Sequence, residues 1–501
     1  MVDIQLPFDI WLHITSFLSK AELWDIRTIN RMIFDIALDN HYRSVNINLD
    51  FCERKENIQS FRRLVDRNVA RRVRTILLSR NAPDSLDLTD IPPASQGWYV
   101  YFKRCYQGCV LDEAAILTRV FNRFNNVSNM HIEINDSRNL RNFDQGISLI
   151  QAAWKSFYPG LYSLTIAAPV DVISAIIPSS PTFTSLECLS LTVFAPPMCD
   201  DSKLSESLAT DIQGFINRHR QTLRSLDLSG RILKYTVPLV AKIDLGGLLA
   251  CLDNIPHLTS LAFKSTPSID PTAVARFLDL HSKRLHNLDI TIIAADSSSR
   301  EIPFTYPFLR HIQIPIPDLN TLSLAFADVS QCCWAVPTLD VLQDYIGQYS
   351  FSLTSFKLLH AMLSRKHALA LFDPKGCFRS STNLRHMVIG LESLTPDILD
   401  HISTTLPNLY ELEVRFHAFR GHGDSPSEKE EQEFCMEIEH HNYSAWKLQH
   451  LVALFLDRND GELAAPACNA ALVLALPGIQ TLNSVSRSNY LRSSPPAIVT
   501  Q

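Results

Sequence analysis

The stretch DIQGFINRHRQTLRSLDL, Asp211 to Leu228, decides how the rest of the chain is read. A helix-like segment runs into the phrase Leu223, Leu226, Leu228, with two residues between the first pair of leucines and one between the second. Leu226 and Leu228 then share one face of a strand and point inward, while Ser225 and Asp227 point outward. The same phrase recurs at Val127/Met130/Ile132, Leu161/Leu164/Ile166, Leu186/Leu189/Leu191, Leu258/Leu261/Phe263, Leu285/Leu288/Ile290 and Leu309/Ile312/Ile314. It continues at Leu353/Phe356/Leu358, Leu384/Met387/Ile389, Leu409/Leu412/Val414 and Leu448/Leu451/Ala453, with Val73/Ile76/Leu78 as an early copy. Each unit reads as helix, short loop, strand, and a lone unit cannot bury its apolar face, so neighbours must stack.

The phrase is the strand half of a leucine-rich repeat. The fold class is therefore α/β: an irregular leucine-rich-repeat solenoid with parallel strands on the concave side and helices outside. From Leu161 onward the steps between phrases are uneven, from 24 residues (Leu285 to Leu309) to 44 (Leu309 to Leu353). Pro169, Phe194, Arg231, Thr266, Pro317 and His417 stand where an asparagine or cysteine is usual, so no asparagine ladder is expected. Leu319/Leu322/Leu324 competes with Leu309/Ile312/Ile314 for one strand, and the pattern does not choose. The repeats are expected over 121–485, after a basic helical linker and first irregular repeat over 46–120. Asn81 to Gln96, with Pro83, Pro92 and Pro93, reads as a loop. An exposed acidic insertion near 417–441 carries Ser427-Glu428-Lys429-Glu430-Glu431-Gln432-Glu433, and 486–501 reads as a disordered tail.

The amino terminus is of another kind. Pro7 suits the start of a helix, Ser19-Lys20-Ala21-Glu22 has the form of a capping box, and Asn30 caps a third helix. Phe8, Ile10, Trp11, Leu12, Ile14, Phe17 and Leu18 spread over roughly 220° of a helical wheel, about twice what one core needs. The surplus predicts a partner.

The run LPFDIWLHITSFLSKAELWDIRTINRMIFDIA resembles an F-box, with Leu6, Pro7, Ile10, Ile14, Leu18, Glu22, Leu23, Ile29, Arg31 and Phe34 on that family's positions. Glu22-Leu23 replaces the usual Asp-Leu, and Trp24 sits where a smaller aliphatic residue is common. The resemblance implies a three-helix F-box over 1–45 that binds the Skp adaptor and, through it, a cullin-RING complex. Its adaptor contacts are expected from Leu6, Pro7, Ile10, Ile14, Leu18, Leu23, Trp24, Ile29 and Phe34. Removing residues 1–45 is expected to abolish that contact and leave the repeats folded.

Composition points the same way. A chain of 501 residues with 46% hydrophobic and 20% charged residues has the balance of an ordinary folded protein, and a net charge of −6 implies neither a nucleic-acid nor a membrane partner. No secretory signal is read at the start, and eleven cysteines fit reduced thiols, so a cytoplasmic or nuclear protein is expected. Between Glu53 and Arg80 lie nine basic residues, Arg54, Lys55, Arg62, Arg63, Arg67, Arg71, Arg72, Arg74 and Arg80, read as a solvated helix face in preference to a phosphate or acidic-partner patch. Phosphate loops, dinucleotide glycine motifs, HExxH, CxxC and the GxSxG elbow are all missing, and only 15 glycines occur, so no enzyme and no cofactor are expected. Cys435, His440 and His441 make a weaker metal reading than an acidic insertion does. Outward strand residues are the candidates for binding an unknown target protein: Asp227, Asp289, His311, Gln313, Lys357, His386, Glu411, Glu413 and Arg415. The function implied is the substrate-recognition subunit of a Skp-cullin-F-box ubiquitin ligase, with a non-degradative repeat scaffold as the alternative. A divergent α/β hydrolase or transferase would instead need a deep pocket with convergent polar groups.

Overall fold

A computed structural model describes residues 6–48, 64, 66–80, 119–134, 143–177, 183–194, 202–231, 245–265, 269–294, 307–328, 339–419, 428–456 and 466–493. Three short helices come first: α1 (Phe8–Thr15), α2 (Lys20–Asp25) and α3 (Arg31–Tyr42). Pro7 is the residue just before α1, one position earlier than the sequence suggests. The box before α2 is reciprocal, with Ser19 N–H donating to Glu22 Oε2 at 2.8 Å and Glu22 N–H donating to Ser19 Oγ at 3.3 Å. At α3 the Asn30 Oδ1 accepts from Ile33 N–H at 2.8 Å. Each cap satisfies a donor that a helix start leaves without an intrahelical partner, which fixes where these brief helices begin.

The chain divides into two compact units, 1–244 with 251–257, and 245–250 with 258–501. In the first, β1 (Ser44–Asn48), β2 (Thr75–Arg80), β3 (Asn129–Ile134), β4 (Ser163–Pro169), β5 (Cys188–Phe194) and β6 (Ser225–Arg231) pair in chain order, all parallel. The phrases land as their spacing predicts: Leu164, Ile166, Leu189, Leu191, Leu226 and Leu228 are buried, and Leu161, Leu186 and Leu223 are buried before the strands. Behind this sheet Trp154, Phe183 and Phe215 pack edge to face at 5.4 and 6.2 Å. His219 closes the row, its Nε2 accepting from Phe183 N–H at 3.0 Å while Nδ1 lies 2.8 Å from Phe215 O. That pairing selects the neutral Nδ1–H tautomer, and burial keeps the ring's pKa below the usual value.

In the second unit, β7 (Ser260–Ser265), β8 (Asn287–Ala294), β9 (Thr321–Asp328), β10 (Ser355–Leu363), β11 (His386–Ser393), β12 (Glu411–Ala418), β13 (His450–Phe455) and β14 (Thr481–Leu482) follow the same parallel order. β15 (Val485–Ser486) turns back antiparallel on β14. Aromatic donors meet loop carbonyls: Tyr349 O–H to Ile314 O at 2.6 Å and Trp446 Nε1–H to Leu406 O at 3.0 Å.

Several expectations are corrected. The sheet begins at Ser44, inside the N-terminal block and its expected linker, because Val45 and Ile47 are buried as a strand that pairs β2. Of the two competing phrases, Leu322 and Leu324 form β9, whereas Leu309 and Ile312 are buried at a helix spanning Pro307–His311. The supposed acidic insertion holds a helix, Glu428–Ile438, that buries Phe434 and Ile438 while its glutamates stay nearer solvent; 420–427 lie outside the described residues. The supposed tail includes Ser486 of β15 and a helix at Arg487–Ser493, with only 494–501 outside the described residues. The loop at Asn81–Gln96 and the basic residues Arg54, Lys55, Arg62 and Arg63 also lie outside them.

Candidate functional site

The helical layer has a small interior. Leu23, Ile33, Ile36 and Ala37 are buried, with Trp11, Leu18, Trp24 and Ile26 packed around them. Thr15 turns its hydroxyl back on the helix, donating to Trp11 O at 2.8 Å, which lets a polar residue sit inside. Trp24 seals one edge: it stacks on the His41 ring at 4.2 Å, and the Arg27 guanidinium lies 4.4 Å from its ring. Burial, aided by the charges of Lys20 and Arg27, pushes the His41 pKa down to about 4.

Many other apolar side chains of this layer are open to solvent. Leu6, Phe8, Ile10, Leu12, Ile14, Phe17, Ile29, Met32 and Phe34 are 36–75% exposed. Of the residues expected to meet the adaptor, Leu6, Pro7, Ile10, Ile14, Ile29 and Phe34 are exposed, while Leu18 and Trp24 are half-buried. Leu23 is a correction: at 2% exposure it belongs to the interior, as the inward member of the Glu22-Leu23 pair. Phe8, Leu12, Phe17 and Met32 were not among the expected contacts, although the wide apolar arc of the first helix already included the first three.

A polar clamp joins α3 to the turn that precedes β2. Arg72 donates through Nη2 to Asp35 Oδ1 at 2.8 Å, through Nη1 to Asp35 O at 3.0 Å, and through Nε to Asn68 O at 3.0 Å; Nη1 also bonds Asp39 Oδ1. Burial works against its charge, but the carboxylates of Asp39 and Asp35 outweigh that and hold its pKa above the usual arginine value. Arg72 is thus no part of a solvated face, which corrects the sequence reading at that position.

The sheet-face candidates divide between the units. In the first, half-buried Asp227 accepts from Ser190 Oγ and Ser229 Oγ, each at 2.8 Å. In the second, register places His386, Glu411 and His450 side by side on β11, β12 and β13. His386 Nδ1 is 2.9 Å from Glu411 Oε2, and Arg415 Nε donates to Glu413 Oε1 at 2.7 Å. Asp289, Lys357 and Glu413 fall in one further row, on β8, β10 and β12. His311 and Gln313 are corrected, since His311 ends the Pro307–His311 helix and Gln313 follows it off the sheet. The sequence missed His450, whose ring bridges Thr481 Oγ1 at 2.8 Å and Tyr410 O–H at 3.1 Å, because its strand phrase was the weakest copy. On β10 the register shifts between Lys357 and Met362, and His360 in that bulge takes a left-handed φ of 56°.

Cys435, His440 and His441 do not converge. Cys435 Sγ lies 3.6 Å from Cys468 Sγ, His441 Nδ1 lies 2.9 Å from Asp400 Oδ1, and no metal-ligating cluster occurs among the described residues. No helix among those residues is long and apolar enough to cross a membrane.

No protein-family model and no curated relative matches the chain. Among solved structures it is similar to a chain of the Rad7 and Elc1 complex in yeast, at 11% identity and a TM-score of 0.37, covering 84% of this chain and 88% of that one. It is also similar to the leucine-rich repeat-containing protein LegL7 from Legionella pneumophila, at 11% identity and a TM-score of 0.32, covering 89% and 97%. Scores this low leave the function to this chain's own residues.

Proposed function

We propose that this protein is the substrate-recognition subunit of a Skp-cullin-F-box ubiquitin ligase. The observation that carries the reading is the open apolar surface of the helical layer, a patch of the kind that marks an interaction site in a folded chain. Ile10, Ile14, Ile29 and Phe34 supply the adaptor contact, extended by Phe8, Leu12, Phe17 and Met32. Leu23 and Trp24 support that surface from within. The outward side chains of the strands, His386, Glu411, Glu413 and Arg415 among them, present the target by a mixed-charge surface suited to protein recognition. Catalysis belongs to other subunits: the receptor holds a target lysine near a charged conjugating enzyme, making the encounter effectively intramolecular.

The test is co-purification of the full chain with its host's Skp adaptor, beside the Ile10→Asp variant. The substitution forfeits about 1 kcal/mol of burial at a half-exposed isoleucine and adds several kcal/mol for desolvating a carboxylate, so binding should weaken by about two orders of magnitude or more. Equal capture of both proteins would sink the assignment. Capture of the unmodified chain without cullin-dependent ubiquitination would leave the scaffold alternative.

A further inference from the structure

Beside α3, in the first unit, a cleft of about 660 Å³ is lined by four arginines, Arg43, Arg71, Arg72 and Arg74, and by two carboxylates, Asp35 and Asp39. Both carboxylates bond Arg72. Among the described residues no carboxylate pairs with Arg43, Arg71 or Arg74, and all three are exposed. Two of them are held in line by the backbone. Arg43 O accepts from the N–H groups of Arg74 and Thr75, and Arg74 O accepts from those of Ser128 and Asn129, so Arg43 and Arg74 occupy the same rung of successive repeats. Adjacent strands lie about 4.8 Å apart, and like charges on neighbouring rungs repel unless an anion lies between them. Asn126 fixes the rim, its Nδ2–H donating to Arg71 O at 2.7 Å, while Arg74 Nη1 reaches Asn126 O at 3.4 Å. Ser128 and Asn129 add neutral polar groups to the same wall.

We propose that this cleft binds a phosphoryl group, held by Arg43, Arg71 and Arg74. Guanidinium forks match the oxygens of a phosphate, and the fourth arginine, locked by its two aspartates, shapes the wall without competing for the ligand. Two sources carry this chemistry, a phosphorylated side chain on a peptide segment and a small free phosphate ester. The site shares Phe8 with the apolar surface proposed for the adaptor, and takes its charged residues from α3 and from the turns before the strands.

The experiment is calorimetric titration of the full chain at 0.1 M salt with inorganic pyrophosphate, and in parallel with a phosphothreonine peptide and its unphosphorylated form. Saturable pyrophosphate binding is expected, weakened by about tenfold or more in Arg71→Gln and in Arg43→Gln/Arg74→Gln, and unchanged in Arg310→Gln and Ile10→Asp. It should weaken toward 1 M salt, where the Debye length falls from about 10 Å to about 3 Å. A phosphopeptide that binds about tenfold more tightly than pyrophosphate identifies a peptide source; a peptide no better than its unphosphorylated form identifies the small ester. Because the three arginines are exposed, thermal unfolding without ligand should show the variants folded. No saturable pyrophosphate binding, or equal affinity in the folded arginine variants, overturns the proposal.

Discussion

Arg72 and its two aspartates predict an asymmetry. The arginine side chain is 7% exposed, whereas those of Asp35 and Asp39 are 40% and 59% exposed. In Arg72→Met the carboxylates simply regain water, so the loss is that of partly solvated charged hydrogen bonds, about 1–2 kcal/mol. In Asp35→Ala/Asp39→Ala the guanidinium stays in the interior with the carbonyls of Asn68 and residue 35 as its remaining acceptors. A stranded buried charge costs about 3–5 kcal/mol, and those carbonyls place this one near the lower end, about 3 kcal/mol. A chain with two compact units need not unfold in one step, so local amide exchange over α3 and residues 67–75 is the appropriate assay. At 1.36 kcal/mol per decade, exchange should accelerate by about two orders of magnitude in the double variant and by about one in Arg72→Met. If the arginine substitution costs as much as the double aspartate substitution, or more, the burial asymmetry does not govern this clamp.

Gly390 faces the β10 bulge, where an added Cβ would meet Ala361 O and stand 2.8 Å from Met362 Sδ, so Gly390→Ala should destabilise the second unit by about 1–3 kcal/mol. Unchanged exchange in β11 would contradict the bulge. The depressed pKa of His41 means that the unfolded chain binds more protons between pH 6.5 and about 4. The contribution of its neutral ring is therefore present above pH 6.5 and lost as the pH falls through that window. Exchange in α3 should quicken from pH 7 to 4.5 after correction for intrinsic rates, and His41→Phe should flatten the slope; an equal slope would show that His41 is not its source.

Local chemistry was legible in the sequence. Ser19 and Asn30 cap helices because their short side chains reach an amide two or three residues on, and the phrases at Leu161, Leu223 and Leu409 place strands because period two survives in a half-buried ladder. The Leu309/Leu319 ambiguity is different, since an i, i+3 pair fits a helix face as well as the start of the phrase. Phe326 continues the alternation of Leu322 and Leu324, whereas Pro315 interrupts the other candidate. β1 was missed because two apolar residues directly after a helix give too short a signal. The clamp was beyond reach, for Arg72 lies 37 and 33 residues from Asp35 and Asp39, and only the parallel register that follows brings them together.

The same clamp changes what an amino-terminal deletion can test. Residues 1–45 look detachable in the sequence, but their loss removes Ser44 and Val45 from β1 together with the backbone carbonyl of Arg43. Arg74 and Thr75 lose the acceptor for their N–H groups, Arg72 loses both carboxylates, and the start of β2 becomes an open edge of the sort that promotes self-association. Deletion should therefore speed exchange in Thr75–Arg80 and encourage aggregation, whereas Ile10→Asp, placed on the open surface of α1, should leave those amides protected. Retained protection of β2 in a soluble 1–45 deletion would disprove the β1–β2 register. A loss of adaptor binding on deletion alone would mix two causes, and the point substitution separates them, because the open apolar surface and the polar clamp use different residues of the same helical layer.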